Sequence, residues 1–300
     1  MIEPRSPSSP SAVAQHYDRL DAFYRDLWGH TVHHGLWTTG RETPSEAADA
    51  LTRRVVDAVS PARAAAICDV GCGYGAISHA LATVGAQVTG LTLSEAQAEV
   101  ARASSTDGNP TFLVRDWLQN DLASASFDAV VAVESTTHMP ERQRVFDELA
   151  RVLKPGGRLV LCVWMASESP ARWHVRHLLE PICREGRLAG LGSASENRRW
   201  IANAGLVVET EDDWSRQVGR TWTVVARRVA ARLVTDRRLR QFILNAKEAD
   251  RVFALTVARL RLAFAVGAMR YGFFVAQKPE TISGHPTLGG SAIGHGHSPL

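Results

Sequence analysis

The chain predicts an α/β fold built on a seven-stranded, mostly parallel sheet, on three observations. Short apolar runs from Ala64–Val70 to Tyr271–Ala276 read as strands, and the earlier ones alternate with stretches of helical spacing. The first run ends in an acid and three glycines at alternate positions, Asp69-Val70-Gly71-Cys72-Gly73-Tyr74-Gly75, with a helix behind it from Ala76 to Val84. A buried strand, a tight turn and a helix N-terminus are how α/β folds bring backbone close to a nucleotide. A hydrophobic content of 45% over 300 residues is enough for a full core.

The glycine stretch admits more than one ligand. Gly71-x-Gly73-x-x-Ala76 loosely fits a dinucleotide fingerprint, a weak pattern alone. Asp69, two residues before the first glycine, suits S-adenosylmethionine better, because that molecule's ammonium and sulfonium are cationic. A turn whose glycines serve geometry alone is the third reading.

Bulk properties exclude several classes. A net charge of +3 demands no nucleic-acid partner. The four cysteines have neither metal nor disulfide spacing, which reads as a reduced, cytoplasmic protein. Met1–Ser11 is rich in Pro and Ser without an apolar core, so it is expected to be disordered and not a signal peptide. No stretch is long and apolar enough to span a membrane.

In chain order, Val13, Tyr17, Leu20, Tyr24 and Leu27 give Ala12–Trp28 helical spacing. Trp28–Trp37 follows, a loop dense in aromatics and containing His30, His33 and His34. No metal site is expected there: His33 and His34 would point apart in an extended chain, and no carboxylate or cysteine accompanies them. A loop that covers a ligand is the favoured reading, with core packing of Trp28 and Trp37 as the alternative. Pro44–Val59 is an amphipathic helix feeding the glycine strand.

Gln87–Leu91 is the next strand. Ser94 caps the helix Glu95–Ser104, and Gln97 at its third position completes the pattern of a capping box. Thr92 stands where an acid would grip a ribose. Either Thr92 and Gln97 hold the ribose, or capping is their whole role. Thr111–Arg115 ends at Asp116-Trp117, read as an adenine clamp or as a turn acid and a core indole. Phe127–Val133 leads into Glu134-Ser135-Thr136-Thr137-His138-Met139-Pro140, at the carboxyl end where such sheets bind ligands. Glu141–Leu153 is a helix, and Lys154-Pro155-Gly156-Gly157 turns into the strand Arg158–Trp164. Trp173–Glu185 and Ser195–Ala204 read as helices and Leu206–Thr210 as a strand. Arg220–Phe264 is long, helical and rich in arginine, a cover with its apolar side on the active site or a membrane-surface element. Ser283–Leu300 reads as a disordered tail.

Taken together, Asp69–Gly75, Gly90-Leu91-Thr92-Leu93-Ser94-x-x-Gln97, Phe127-Asp128, Glu134-Ser135-x-x-His138-Met139-Pro140 and Arg151–Gly157 resemble the class I S-adenosylmethionine-dependent methyltransferases. Within them the chain is most similar to the γ-tocopherol methyltransferase-like group. That group methylates small, often prenylated, aromatic or alkaloid acceptors. The resemblance runs from Gln15 to Lys278. It implies a Rossmann-like class I sheet with a helical N-terminal cover and helical lid insertions. It also implies that Asp69, Gly71, Cys72, Gly73 and Gly75 hold the methionine part of the cofactor. Thr92, Leu93 and Gln97 take the place of the ribose acid, Asp116 and Trp117 hold the adenine, and Tyr17 closes over the sulfonium. One domain is expected over 12–280, with a cover at 12–60, a cofactor core at 61–168 and acceptor-covering elements at 169–270. Tails at 1–11 and 281–300 flank it.

His138 is the candidate general base, since a free imidazole titrates near pH ~6.5. Glu134 is the second candidate, to orient His138 or to bind the cofactor's ammonium. The plain alternative is that His138 caps the following helix. The expected acceptor is a small, mainly apolar natural product methylated at O, N or activated carbon, and a homodimer is compatible with it. The second reading is C-methylation of an isoprenoid or lipid double bond, with Glu134, Trp173, Trp200 and Trp214 around a carbocation and Arg198 and Arg199 on a diphosphate. A cofactor-binding module without turnover is a third, and a nicotinamide oxidoreductase leaves Asp69 and Asp116-Trp117 without a role.

Overall fold

The computed structural model describes residues 1–4, 9–28, 31, 33–237, 240–241 and 253–280, apart from the side chains of 20–28 and 253–255. Its centre is one seven-stranded sheet in the order β3-β2-β1-β4-β5-β7-β6. The strands are β1 (Ala66–Val70), β2 (Gln87–Thr92), β3 (Thr111–Val114), β4 (Phe127–Val133), β5 (Leu153–Ala166), β6 (Val207–Asp213) and β7 (Met269–Gln277). The first five pair in parallel, and β7 runs antiparallel to both neighbours. Central β1 and β4 are buried almost throughout, the mark of strands covered on both faces.

Helices cover both faces. On one side, α2 (Pro44–Val59) buries Leu51, Val55 and Val59 on Ile67, Val131, Val160 and Phe273. Its start is set by Thr43, whose hydroxyl accepts from Glu46 N while Glu46 reaches back to Thr43 N, with Pro44 at the first helical position. On the other side, α5 (Arg142–Val152) packs Val145, Phe146 and Leu149 against Val130, Leu161 and Phe274. Between these, α3 (Ala76–Thr83) and α4 (Glu95–Ala103) connect the parallel strands, as βαβ crossovers require.

A third apolar cluster lies over the carboxyl ends of the strands. It joins Leu179, Ile182 and Leu188 to Trp222 and Val225 of the helix Arg220–Thr235, and to Val257 and Leu260 of the helix Phe253–Ala265. Arg220 and Arg227 are exposed while Trp222, Val225 and Val229 are buried, which is the amphipathic cover expected of that segment. The intervening part of the long arginine-rich stretch lies largely outside the described residues. The tail at 281–300 and the loop positions Gly29, His30 and Val32 do so entirely. The helix expected over Trp173–Glu185 contains a π turn, Val175–Leu179, between α-helical pieces at Arg172–His174 and Glu180–Glu185. At the N-terminus the expected disorder does not extend to the first residues. Ile2 pairs with Leu191 as an antiparallel bridge, and the terminal ammonium lies 2.6 Å from Glu196.

Candidate active site

A cleft open to solvent at its mouth runs along the carboxyl ends of β1, β2 and β4 and continues to Ile182, Leu188 and Leu260 of the third apolar cluster. Of the residues singled out by sequence, Tyr17, Asp69, Gly71, Cys72, Gly73, Thr92, Leu93, Gln97, Asp116, Trp117, Glu134 and His138 border it. Gly75 does not. It stands at φ +81°, and a Cβ there would lie 2.7 Å from Phe112 Cζ, so its glycine serves packing under the loop. Gly71 has a mixed role: at φ +77° it faces the cleft, while an added Cβ would meet Ser135 Cβ at 2.2 Å.

Asp69 ends β1 at 2% exposure, and its Oδ2 accepts from Ser78 Oγ at 2.6 Å. Burial pushes its pKa up to about 6 even though the Ser78 hydrogen bonds pull it down. A cationic ligand at this carboxylate would reverse that shift, so the residue fits the ammonium or sulfonium of S-adenosylmethionine. Farther along, Thr92 Oγ1 donates to Gln97 Oε1 at 2.9 Å and accepts from Ser94 N at 3.2 Å. Ser94 Oγ accepts from Gln97 N, the expected cap. The reciprocal half of the capping box is missing because Gln97 turns its side chain to Thr92. These two side chains therefore line the cleft as a polar pair where a ribose acid is absent. Asp116 caps the 3-10 turn Trp117–Gln119 through Leu118 N at 3.0 Å. Trp117 is 2% exposed, with Nε1 donating to Val145 O at 3.3 Å. They are the turn acid and core indole of the alternative reading, and both also border the cleft.

His138 closes the 3-10 turn Thr136–His138. Its Nδ1 donates to Arg187 O at 3.2 Å, which leaves Nε2 as the acceptor for the Tyr17 hydroxyl at 3.1 Å. Burial above all, with nearby positive charge on His16 and Arg142, pushes the imidazole down to about 4. His138 is thus neutral at physiological pH, with its lone pair toward the cleft. It does not cap α5, whose N-cap is Glu141 without a side-chain cap bond. Arg142, which sequence reasoning missed, is buried under that turn and donates to the carbonyls of Thr136, Thr137 and Gly190. An arginine in the first helical position after Pro140-Glu141 carried no signal for this role.

Glu134 does not orient His138. It sits at φ +59°, strained for a residue with a side chain. Its Oε1 accepts from His34 N at 2.9 Å and from the Tyr271 hydroxyl at 2.8 Å, and its Oε2 accepts from His34 Nδ1 at 2.7 Å. Burial works to raise its pKa, but His34 outweighs it by charge and hydrogen bonds and holds the carboxyl below its ordinary value. His34 is ringed by Trp164, Trp222, Phe264 and Tyr271, with centroids 5.0–6.3 Å away. The loop expected to cover a ligand thus contributes His33 and His34 to the cleft. Trp37 is instead buried elsewhere, its Nε1 on Thr221 Oγ1 at 3.0 Å under Arg220. Tyr271 and Trp164 had no local motif to reveal them. No group of three or more His, Cys, Asp or Glu suited to a metal occurs among the described residues.

The comparisons with known proteins agree with this geometry. Residues 68–161 match the family model described as a methyltransferase domain. The chain is 32% identical to 27-O-demethylrifamycin SV methyltransferase of Amycolatopsis mediterranei, over 91% of this chain and 98% of that protein. It is 27% identical to the chloroplastic tocopherol O-methyltransferase of Arabidopsis thaliana, over 89% and 82% respectively. Among solved structures, the [4+2]-cyclase SpnF superposes with a TM-score of 0.78 at 26% identity, covering 93% of this chain and 99% of that one. The cyclopropane synthase MmaA2 of Mycobacterium tuberculosis reaches the same TM-score at 19% identity, covering 91% and 100%, a likeness of fold. With similarity over nearly its whole length and an acid-and-glycine loop at the head of the cleft, the chain belongs to the class I S-adenosylmethionine-dependent methyltransferases.

Proposed function

We propose that this enzyme methylates a hydroxyl oxygen of a small, mainly apolar natural product, with His138 taking the proton. The observation that carries the reading is the placement of that histidine: Nδ1 tied to a carbonyl, the Nε2 lone pair turned to a hydroxyl in the cleft, and Met139, Ile182, Leu188 and Leu260 forming apolar cleft walls. The natural-product methyltransferases to which the chain is similar support the acceptor class.

S-adenosylmethionine supplies an electrophilic methyl on a sulfonium whose departure as a neutral thioether needs no acid. The protein's tasks are alignment and proton removal. Asp69 and the Gly71–Gly73 turn would hold the cationic methionine end, Thr92 and Gln97 the ribose, and Asp116 and Trp117 the adenine end. Tyr17, on the first helix, would close the cleft from above while its hydroxyl occupies His138 Nε2 until an acceptor hydroxyl replaces it.

The isoprenoid reading finds less support. Arg198 and Arg199 are exposed and pair with Glu211 and Glu196, and neither borders the cleft. Trp200 stacks on Phe146, Trp214 on Phe273, and Trp173 is 48% exposed, so of that set only Glu134 faces the site. We further infer a single domain over 12–280 and a reduced, cytoplasmic setting, the latter because all four cysteines are free and buried. No helix among the described residues is long and apolar enough to cross a membrane.

The test is a methyl-transfer assay with labelled S-adenosylmethionine against a panel of phenols, polyketide alcohols, amines and prenyl diphosphates. Turnover of hydroxylated acceptors, lost in His138→Ala, supports the reading. Turnover confined to diphosphates or amines would overturn it.

A further inference from the structure

We propose that His34 and Trp164 form a second polar subsite in the acceptor cleft, which holds a hydroxyl group of the acceptor other than the one methylated. The inference rests on the methyl-transfer reading above and names a feature its substrate must have.

Two buried ring nitrogens carry it. His34 is 2% exposed, and with Nδ1 committed to Glu134 its Nε2 is shielded and has no hydrogen-bond partner. Trp164 Nε1 is likewise shielded and unpaired, and its indole makes a T-shaped pair with the His34 ring at a centroid distance of 5.1 Å. Both residues border the cleft. Shielded polar atoms in folded proteins are nearly always paired, so two such orphans on adjacent rings in a cleft wall call for a ligand.

The chemistry of the pair selects that ligand. An ionised Glu134 accepts only, so Nδ1 of His34 is a donor, and Nε2 offers a lone pair in the neutral ring or an N–H in the imidazolium. The indole N–H of Trp164 only donates. A hydroxyl, which can both donate and accept, meets Nε2 in either form while its oxygen accepts from the indole N–H. An ether or carbonyl oxygen can only accept, and an ammonium can only donate. The flanking rings of Trp222, Phe264 and Tyr271 make the surroundings apolar, which suits a hydroxyl on a hydrocarbon or aromatic frame.

This subsite is separate from the base. His138 is backed by the Arg187 carbonyl and faces Tyr17, whereas His34 is backed by Glu134 and faces Trp164. Two histidines with different supports in one cleft address two points of one molecule.

The probes are the three propyl-substituted benzenediols (1,2, 1,3 and 1,4), with 4-propylphenol as the single-hydroxyl control. Each is titrated into the S-adenosylhomocysteine-loaded protein by calorimetry and by nitrogen-15 NMR. At least one diol is expected to bind roughly 10-fold more tightly than the phenol, about the worth of one or two hydrogen bonds. It is also expected to shift the Trp164 indole N–H and His34 Nε2 resonances. His34→Asn keeps a donor for Glu134 but lacks Nε2, and Trp164→Phe keeps an aromatic ring but lacks Nε1. Each should erase the diol advantage while leaving S-adenosylhomocysteine affinity unchanged. No diol advantage, an advantage that survives both substitutions, or binding that moves neither resonance overturns the subsite. Failure of the wild type to bind S-adenosylhomocysteine would instead overturn the reading on which it rests.

Discussion

The two halves of the cleft are built in opposite ways. The half that we assign to the cofactor comes from one continuous stretch: Asp69, Ser78, Thr92, Ser94 and Gln97 lie within 29 residues and meet through strand, turn and helix start. The acceptor half is assembled across the whole chain. Tyr17 reaches His138 over a separation of 121 positions, His34 reaches Glu134 over 100, and Tyr271 reaches Glu134 over 137. A local half is held by backbone geometry common to its fold, whereas a long-range half depends on every packed element that brings it together. The acceptor side is therefore where a family can change its substrate without disturbing its cofactor.

Substitutions that strike one half alone break the comparison most sharply. His138→Ala should lower turnover by roughly 10²-fold or more, the usual contribution of a positioned general base, with cofactor affinity near that of the wild type. Steady-state kinetics beside calorimetry checks the pair of outcomes, and unchanged turnover removes His138 from the mechanism. The pH profile sharpens the same point. A base pushed down to about 4 is unprotonated above that value, so at saturating S-adenosylmethionine the kcat/KM for the acceptor should be flat through neutrality and fall only as pH drops through about 4. An inflection near 6.5 under saturating cofactor would mean that burial does not lower the His138 imidazole from its ordinary value.

Next in size is Asp69→Asn, which should weaken S-adenosylmethionine binding by roughly 10-fold or more through loss of a charge-assisted contact, while melting behaviour changes little. Because burial lifts the Asp69 carboxyl to about 6 in the free protein, its charged form is lost as pH falls through that value. Cofactor affinity should decline over the same interval, with proton release on binding near pH 5.5 visible as buffer-dependent heats. Affinity independent of pH between 5 and 7 would count against a cation at Asp69.

Glu134→Gln tests the long-range half as structure. The amide sets one of its own donors against the His34 and Tyr271 donors, and a buried mismatch of this kind costs about 1–3 kcal/mol. A lower denaturant midpoint with cofactor affinity retained is the expected outcome. Tyr17→Phe should have the smallest effect: one net hydrogen bond, about 0.5–1.5 kcal/mol, appears in acceptor KM more than in turnover. A large turnover loss would instead show that the Tyr17 hydroxyl is more than a cover for His138.

The same division explains what was legible in the sequence. The alternation of strands and helices, the Asp69 loop and the Ser94 cap are local patterns, and each follows from spacing and residue type. Glu134 could be named from its position after β4, but its partners could not. Its positive φ sends the carboxylate to His34 and Tyr271, and nothing in Glu134-Ser135 encodes that turn. Arg142 shares the buried face of α5 with Val145, Phe146 and Leu149 by helical spacing, but the carbonyls of the His138 turn that its guanidinium meets are not encoded in that spacing. Gly75 had the opposite fate: it belongs to the motif by spacing, yet its small size answers to Phe112 beneath the loop.

The place of β7 in the sheet bears on the chain as it is made. This strand is the last in sequence but lies between β5 and β6, and it delivers the Tyr271 hydroxyl to Glu134. While a nascent chain is still short of Met269, β5 has an open edge, β6 has no neighbour, and the Glu134 carboxylate lacks one of its three donors. Strands 1 to 5 can pair as they emerge, but neither the sheet nor the acceptor site closes until synthesis has passed Gln277. The sheet and the acceptor side of the cleft thus wait for their last strand even though the first five can pair before it is made.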